Sequence, residues 1–462
     1  MASSPTTLQA AVRDAATTRD VAIHPGVAAA LPAIAGRCAP GARLMLVADD
    51  STWTAAGAAA QRQLESQGAS IAPPLVLAAK PRLKPRVEDA QYIADVLRSN
   101  DAIPVAVGAG VVNDLVKYAA ALAGKPYLCV ATAASMDGYA ASGAALMQDG
   151  FKRTLACPPP LAVLADPDVL AAAPPRMTGW GYGDLAGKVV AGADWVLADA
   201  LGVEAINREP FSLVQNNLRD WLAAPQRLAA QDTAAIAGLL SGLLVSGLAM
   251  QAHGNSRPAS GSDHQFSHLW EMENLRVNGD PAAHGACVGI GCVAMLALYE
   301  WFLAQPAGAW LQVAAKDADD GKAIETEIGS ALGTGEVAHA ALQEMQAKRA
   351  IGSRKARIDR LAQVWPALRS ELAARLVSAA TMQQQLRAVG AAAHPADLGI
   401  ELATLAADYR RARLIRRRYT LLDLLEDLGC LDRAVADLFT PAGFWGRQSA
   451  AAFAAVPAFT HS

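Results

Sequence analysis

Paired cysteine is absent from this chain. Six cysteines (Cys38, Cys129, Cys157, Cys287, Cys292, Cys430) are scattered over 462 residues with no C-x-x-C spacing. That excludes a disulfide framework and predicts reduced, buried thiols in a cytoplasmic protein. An excess of charge of either sign is also absent. The formal net charge is -3, so nothing pulls the chain as a whole toward nucleic acid or an acidic membrane, and anion binding has to be local. The first twenty residues lack an apolar h-region, which predicts no secretory signal. No internal repeat is present, and the alanine-rich stretches have helix-forming rather than low-complexity character. Charged residues make up only 18% and hydrophobic ones 53%, so the chain is not disordered and can bury a large core. Two apolar runs, residues 234–252 and 286–303, are about long enough to span a membrane. Small and polar residues interrupt both, and histidine-rich polar sequence separates them, which favours a pair of buried core helices.

The remaining pattern divides near Pro174-Pro175. Before it, short apolar runs alternate with helical periodicity. Strands are expected at residues 43–50, 71–78, 103–110, 127–132 and 161–166, and helices at 54–67, 86–99 and 111–123. This alternation predicts βαβ units and a parallel sheet. After it, the periodicity is almost wholly helical, with helices expected at 178–200, 232–253, 261–273, 284–305, 323–345, 355–364, 370–389, 396–409 and 419–428. The fold expected is an α/β Rossmann-like N-terminal domain (1–175) followed by an all-α C-terminal domain (176–462).

Gly108-Ala109-Gly110-Val111-Val112-Asn113-Asp114 follows an expected strand and opens an expected helix. Glycines there let the backbone approach a pyrophosphate, and the free amides of a helix start favour negative charge. Asn113 stands where the usual G-x-G-x-x-G fingerprint has its third glycine, and an ordinary tight βα turn has the same composition. Asp49 and Asp50 end an earlier strand, where a carboxylate either accepts from ribose hydroxyls or caps the next helix. Thr132, Ser135 and Asp137 cluster at another strand end, the edge at which α/β sheets place ligand contacts; a turn with self-bonded hydroxyls is the alternative.

In the helical half, His264 and His268 stand four apart, on one face if helical, and His284 opens the next helix. Three of eight histidines thus fall within 21 residues. Imidazoles suit zinc, nickel or iron, and a catalytic centre uses three protein ligands with a position open. Asp184, flanked by glycines that leave room for close approach, is the candidate carboxylate. His253 beside Gly254 reads as a helix C-terminal residue favoured by the dipole rather than a ligand.

The blocks GAGVVNDLVKY, TAASMDGY, GFKRTLACPPPLAVLADPDVL, GYGDLAGK, SRPASGSDHQFSHLWEM and HGACVGIG, in this order, resemble the sn-glycerol-1-phosphate dehydrogenases, particularly the bacterial branch. The wider group includes dehydroquinate synthases, glycerol dehydrogenases and iron-dependent alcohol dehydrogenases. The resemblance implies a dehydroquinate synthase-like fold. It implies NAD(P)H-dependent, reversible reduction of dihydroxyacetone phosphate to sn-glycerol 1-phosphate, a step of phospholipid metabolism. It also implies one divalent ion (zinc or nickel) and a homodimer without nucleic-acid partner or membrane span. A sugar-phosphate lyase or cyclase using NAD transiently, or another polyol dehydrogenase of the same fold, is the alternative.

By the same resemblance, Gly108 and Gly110 through Asp114 hold the cofactor's pyrophosphate, and Thr132 and Ser135 contact NAD(H) or NADP(H). Asp49 is the ribose candidate. Asp184, His264 and His284 bind metal. Asp137, Asp184 and His268 meet substrate, with His268 and Asp184 catalytic. Ala141 replaces a family serine, leaving Ser142 as a substitute contact. Lys188 stands where iron-dependent relatives carry a histidine, which argues for a three-ligand site. Lys188 and Arg257 are the candidate cations for a substrate phosphate.

Overall fold

A computed structural model describes residues 5–79, 82–148, 151–306 and 321–448. Its sheet contains six parallel strands: β1 (Asp20–Ile23), β2 (Leu44–Asp49), β3 (Leu75–Leu77), β4 (Ile103–Gly108), β5 (Leu128–Ala131) and β8 (Ala162–Ala165), in the order β1-β8-β5-β4-β2-β3. Between β5 and β8 the chain leaves the sheet to form an antiparallel hairpin, β6 (Ala144–Gln148) with β7 (Phe151–Leu155). Central strands bury both faces, as a parallel sheet covered by helices must. On β2, Leu44, Leu46 and Ala48 enter one core while Met45 and Val47 enter the other. The second of these cores is continuous with the interior of the helical region, so one face of the sheet is sealed by the C-terminal helices.

All five expected strands are present. The one expected at 71–78 is reduced to Leu75–Leu77 with a single bridge at Ile71. Strand β1, the β6–β7 hairpin and the helices Pro5–Asp14 and Leu31–Cys38 are present beyond the expected elements. From Pro175 onward the described residues form helices and connecting turns apart from two two-residue strands. The helices that build the site are α2 (Pro175–Ala200), α3 (Thr233–His253), α4 (Ser262–Met272) and α5 (His284–Ala304); in the first half α1 (Gly110–Leu122) matters most.

Helices α3 and α5 have the length and apolarity of membrane spans, but 72% and 83% of their apolar windows are buried inside the protein. His253 ends α3 just before Gly254 in the left-handed region, as expected. The helix expected at 323–345 is two, Gly321–Leu332 and Glu336–Arg349, split where Gly333 and Gly335 take positive φ. The break expected near Pro366 does not occur. Arg354–Arg375 is continuous, its buried Trp365, Leu368 and Leu372 outweighing the proline's lost hydrogen bond.

Candidate metal and dinucleotide site

The carboxyl edge of the sheet brings three predicted segments side by side. Ala48 pairs with Val107 and Gly108 with Ala131, so Asp49, Gly108 and Thr132 end neighbouring strands in one row. Gly108 is required by packing, because a Cβ there would meet Val112 Cβ at 2.5 Å. Gly110 opens α1 beside Met136, whose sulfur a Cβ would meet at 3.0 Å. The unbonded amides of the α1 start face this cradle, the local chemistry that suits a pyrophosphate.

Asn113 and Asp114 do not share in it. The Asn113 amide already donates to Ala109 O (3.0 Å), and its side chain accepts from Tyr127 Oη (3.2 Å). Asp114 turns inward to Ala145 N (3.3 Å), and burial raises its pKa. The amides left without an intrahelical partner at the α1 start end at Val112. Asp49 caps the following helix by accepting from Thr52 N at Oδ1 (2.8 Å), leaving Oδ2 outside the cap, and Asp50 accepts from Ala79 N (3.0 Å). Ser135 reaches Tyr139 Oη (3.4 Å), and Ser142 is exposed.

The loop after β5 is anchored by Lys117, a wholly buried α1 side chain. Its ammonium donates to the carbonyls of Gly138 (2.7 Å), Ala141 (2.8 Å) and Gly143 (3.1 Å). This fixes Asp137 against α2: the Asp137 amide donates to Asp184 Oδ2 (2.8 Å), and its carboxylate accepts from Ser246 Oγ (3.0 Å). Lys188 Nζ lies between two carboxylates, 2.5 Å from Asp184 Oδ1 and 2.8 Å from Asp137 Oδ2.

Asp184, His264 and His284 converge: one donor atom from each lies within 4.8 Å of the others. Close helix packing makes this possible. A Cβ on Gly183 would meet Gly285 O at 2.2 Å, and one on Gly187 would meet Asp263 Oδ2 at 2.5 Å. The His264 and His284 rings are 5.3 Å apart, with His268 5.9 Å from His284. Each ligand-type imidazole is held from behind by a carboxylate. His264 Nδ1 contacts Asp263 Oδ2, and His284 Nδ1 lies 2.6 Å from Glu271 Oε1. With Nδ1 engaged, Nε2 is the atom turned to the common centre, and His264 Nε2 is 3.7 Å from Asp184 Oδ1. A carboxylate behind the imidazole is how metal-bound histidines are held, so these residues fit a divalent ion.

Charge reinforces the fit. Burial opposes ionisation of Asp184, but Lys188, His284 and His264 outweigh it and hold its pKa down to about 2. Burial and Lys188 keep His264 neutral. Burial would also lower His284, but Glu271 and Asp184 raise it above the ordinary histidine value. Burial, with Arg416 adding to it, pushes His268 down to about 4, so that ring is neutral at pH 7.

Against known proteins, residues 22–174 match the iron-containing alcohol dehydrogenase family. A curated NAD(P)+ glycerol-1-phosphate dehydrogenase of Methanosarcina barkeri is 31% identical over 281 residues, covering 61% of this chain and 76% of the relative. The chain belongs to the glycerol-1-phosphate dehydrogenase family. Relatives of the same name from Halalkalibacterium halodurans (34% identical, 55% of this chain, 64% of theirs) and Bacillus subtilis (36%, 43% and 50%) agree. The chain matches about half to two thirds of the length of these bacterial relatives. By fold it resembles a probable glycerol dehydrogenase from Sinorhizobium meliloti (TM-score 0.56, 17% identical, covering 91% of this chain and 98% of that one). A sulfoacetaldehyde reductase from Bifidobacterium kashiwanohense is equally alike (TM-score 0.56, 17% identical, 91% and 96%).

In this glycerol-1-phosphate dehydrogenase relative, two expected residues sit differently from the reading of the sequence. Lys188 is fully buried and spent on Asp137 and Asp184, so it presents no cation to a substrate. Arg257 is also fully buried, pairing with Glu204 (3.0 Å) and donating to Asp194 O (3.0 Å). Asp194 lies ten residues, about 15 Å, past Asp184 along α2. Both side chains are buried, Lys188 on the two carboxylates and Arg257 beside Glu204, with Arg257 Nη1 left without a hydrogen-bond partner. Asp263, Glu271 and Lys117 escaped sequence reading. The first two were visible only as acids flanking the histidines on α4, and Lys117 as an ordinary helix lysine. A cavity of about 450 Å³ bordered by Val189, Gln215 and Met382 contains none of the site residues.

Proposed function

We propose that the chain catalyses the reversible reduction of dihydroxyacetone phosphate to sn-glycerol 1-phosphate with NADH or NADPH. The observation that carries this is the approach of Asp184, His264 and His284 to within 4.8 Å, joined through Asp137 to the loop at the sheet's carboxyl edge. When bound, a zinc or nickel ion would supply Lewis-acid polarisation of a carbonyl, and the nicotinamide would supply the hydride. Asp184, His264 and His284 hold the ion. Gly108, Gly110, Val111 and Val112 receive the pyrophosphate at the α1 start, with Thr132 and Ser135 beside it and Asp49 toward the ribose. Asp137 positions the substrate hydroxyls. His268, neutral at pH 7, takes the proton from the alcohol oxygen during oxidation and returns it during reduction. Residues 1–175 and 176–462 act as two domains with the site between them, in a cytoplasmic homodimer.

The test is NADH or NADPH oxidation with dihydroxyacetone phosphate, on protein stripped by chelator and then given zinc or nickel separately. Turnover restored by one ion supports the reading. Substrate conversion without net nicotinamide oxidation would replace it with a lyase or cyclase. In the same assay, His264→Ala should lose bound metal and turnover together; stoichiometric metal with full turnover would remove His264 from the site.

A further inference from the structure

The substrate proposed above is a phosphomonoester, and the two cations that the sequence offers for its phosphate, Lys188 and Arg257, are both buried, each paired with a carboxylate. The geometry points to a different anion subsite: we propose that Arg416, with Lys152 beside it, forms the phosphate-binding end of the substrate site. This inference rests on the proposed reading of the site and deepens it.

Arg416, Arg417 and Arg418 are consecutive, in the turn that follows α6 (Leu402–Leu414). The turn is laid against the histidine helix. Gln265, between His264 and His268 on α4, donates to Arg418 O (3.3 Å). The Arg418 guanidinium is tied to Ser260 O and Ser256 Oγ, just ahead of α4. The Arg417 amide donates to Glu344 Oε2 (2.7 Å). The Arg418 side chain and the Arg417 backbone thus fasten the turn. Arg416 does not. It is exposed, and among the described residues it makes no ion pair or hydrogen bond.

Burial lowers the Arg416 guanidinium's affinity for the proton, partly offset by Glu344 and Glu271, and its field reaches His268. An exposed arginine short of a partner, on a turn fastened to the histidine helix, is complementary to a dianion. Lys152, on β7, adds a second cation there. Its ammonium is 3.2 Å from Glu271 Oε2, whose other oxygen holds His284. A phosphate at this end leaves the other end of a three-carbon substrate directed at the imidazoles.

Arg416→Gln removes the charge at an exposed position, so folding should be retained, and Arg416→Lys restores the charge without the planar fork. The measurement is kcat/KM for dihydroxyacetone phosphate against unphosphorylated dihydroxyacetone, on metal-loaded enzyme. The preference for the phosphorylated substrate should fall about ten- to hundredfold in Arg416→Gln and recover in part in Arg416→Lys. Calorimetric titration of wild type and Arg416→Gln with inorganic phosphate reads the subsite without turnover, and phosphate affinity should fall in the variant. An unchanged preference and unchanged phosphate affinity would overturn the assignment. If wild type fails to reduce dihydroxyacetone phosphate yet binds phosphate through Arg416, the catalytic reading falls and the subsite stands.

Discussion

Lys188 is the residue whose role changes most between sequence and structure. As a lysine four residues after Asp184 it invites a reading as a phosphate contact. In the fold it is a buried counter-ion that lets two carboxylates coexist in a dry interior. Removing one partner of such a cluster leaves uncompensated charge, which typically costs about 3–5 kcal/mol. Lys188→Met should therefore destabilise the protein by about that amount in urea unfolding, and a change within ~0.5 kcal/mol would mean that the carboxylates are neutralised another way. Sequence reading located Asp184, His264, His268 and His284 because metal chemistry restricts residue types. It misjudged Lys188 and Arg257 because a cation's partner is set by tertiary contacts that spacing does not encode. It included Asn113 and Asp114 because a motif names residues, whereas a helix start offers only its first unbonded amides.

Helix α4 carries more of the site than its two histidines suggest. Asp263, His264, His268 and Glu271 all project from its eleven residues, and its acids brace the imidazoles. Loss of such a brace usually costs ten- to hundredfold in metal affinity. Glu271→Ala should show about that loss in a competitive chelator titration, with Glu271→Gln, which can still accept from Nδ1, losing less. Equal affinity in all three proteins would show that His284 is oriented by packing alone. Both imidazoles must be neutral to bind an ion, and Glu271 and Asp184 raise the His284 pKa above 6.5. As pH falls, His284 is protonated before His264, whose pKa is depressed. Metal affinity should therefore weaken as pH falls and His284 takes up its proton, which a competitive chelator titration at successive pH values checks; affinity independent of pH would contradict it. At this scale the long apolar helices and central strands were legible, because burial imposes their periodicity. Edge strand β1 and the β6–β7 hairpin were not, since exposed or short strands carry little alternation.

At the scale of the molecule, the expected order of an α/β half followed by a helical half is present, as is the change of character at Pro175. What sequence does not convey is how firmly the halves are joined. One hydrophobic core runs from β2, β4 and β5 into α2, α3 and α5, and Lys152 of the hairpin pairs with Glu271 of α4. The buried α3 and α5 predict that the protein stays in the supernatant after high-speed centrifugation without detergent; recovery only in the pellet would contradict it. The Lys117 anchor has a wider meaning in this setting. The first turn of α1 lies at the dinucleotide cradle, and seven residues on, about 10 Å, Lys117 grips the loop that bears Asp137. A single stiff rod therefore gauges the span from cofactor cradle to reaction centre, and neither terminus of that rod can be displaced without carrying the other along.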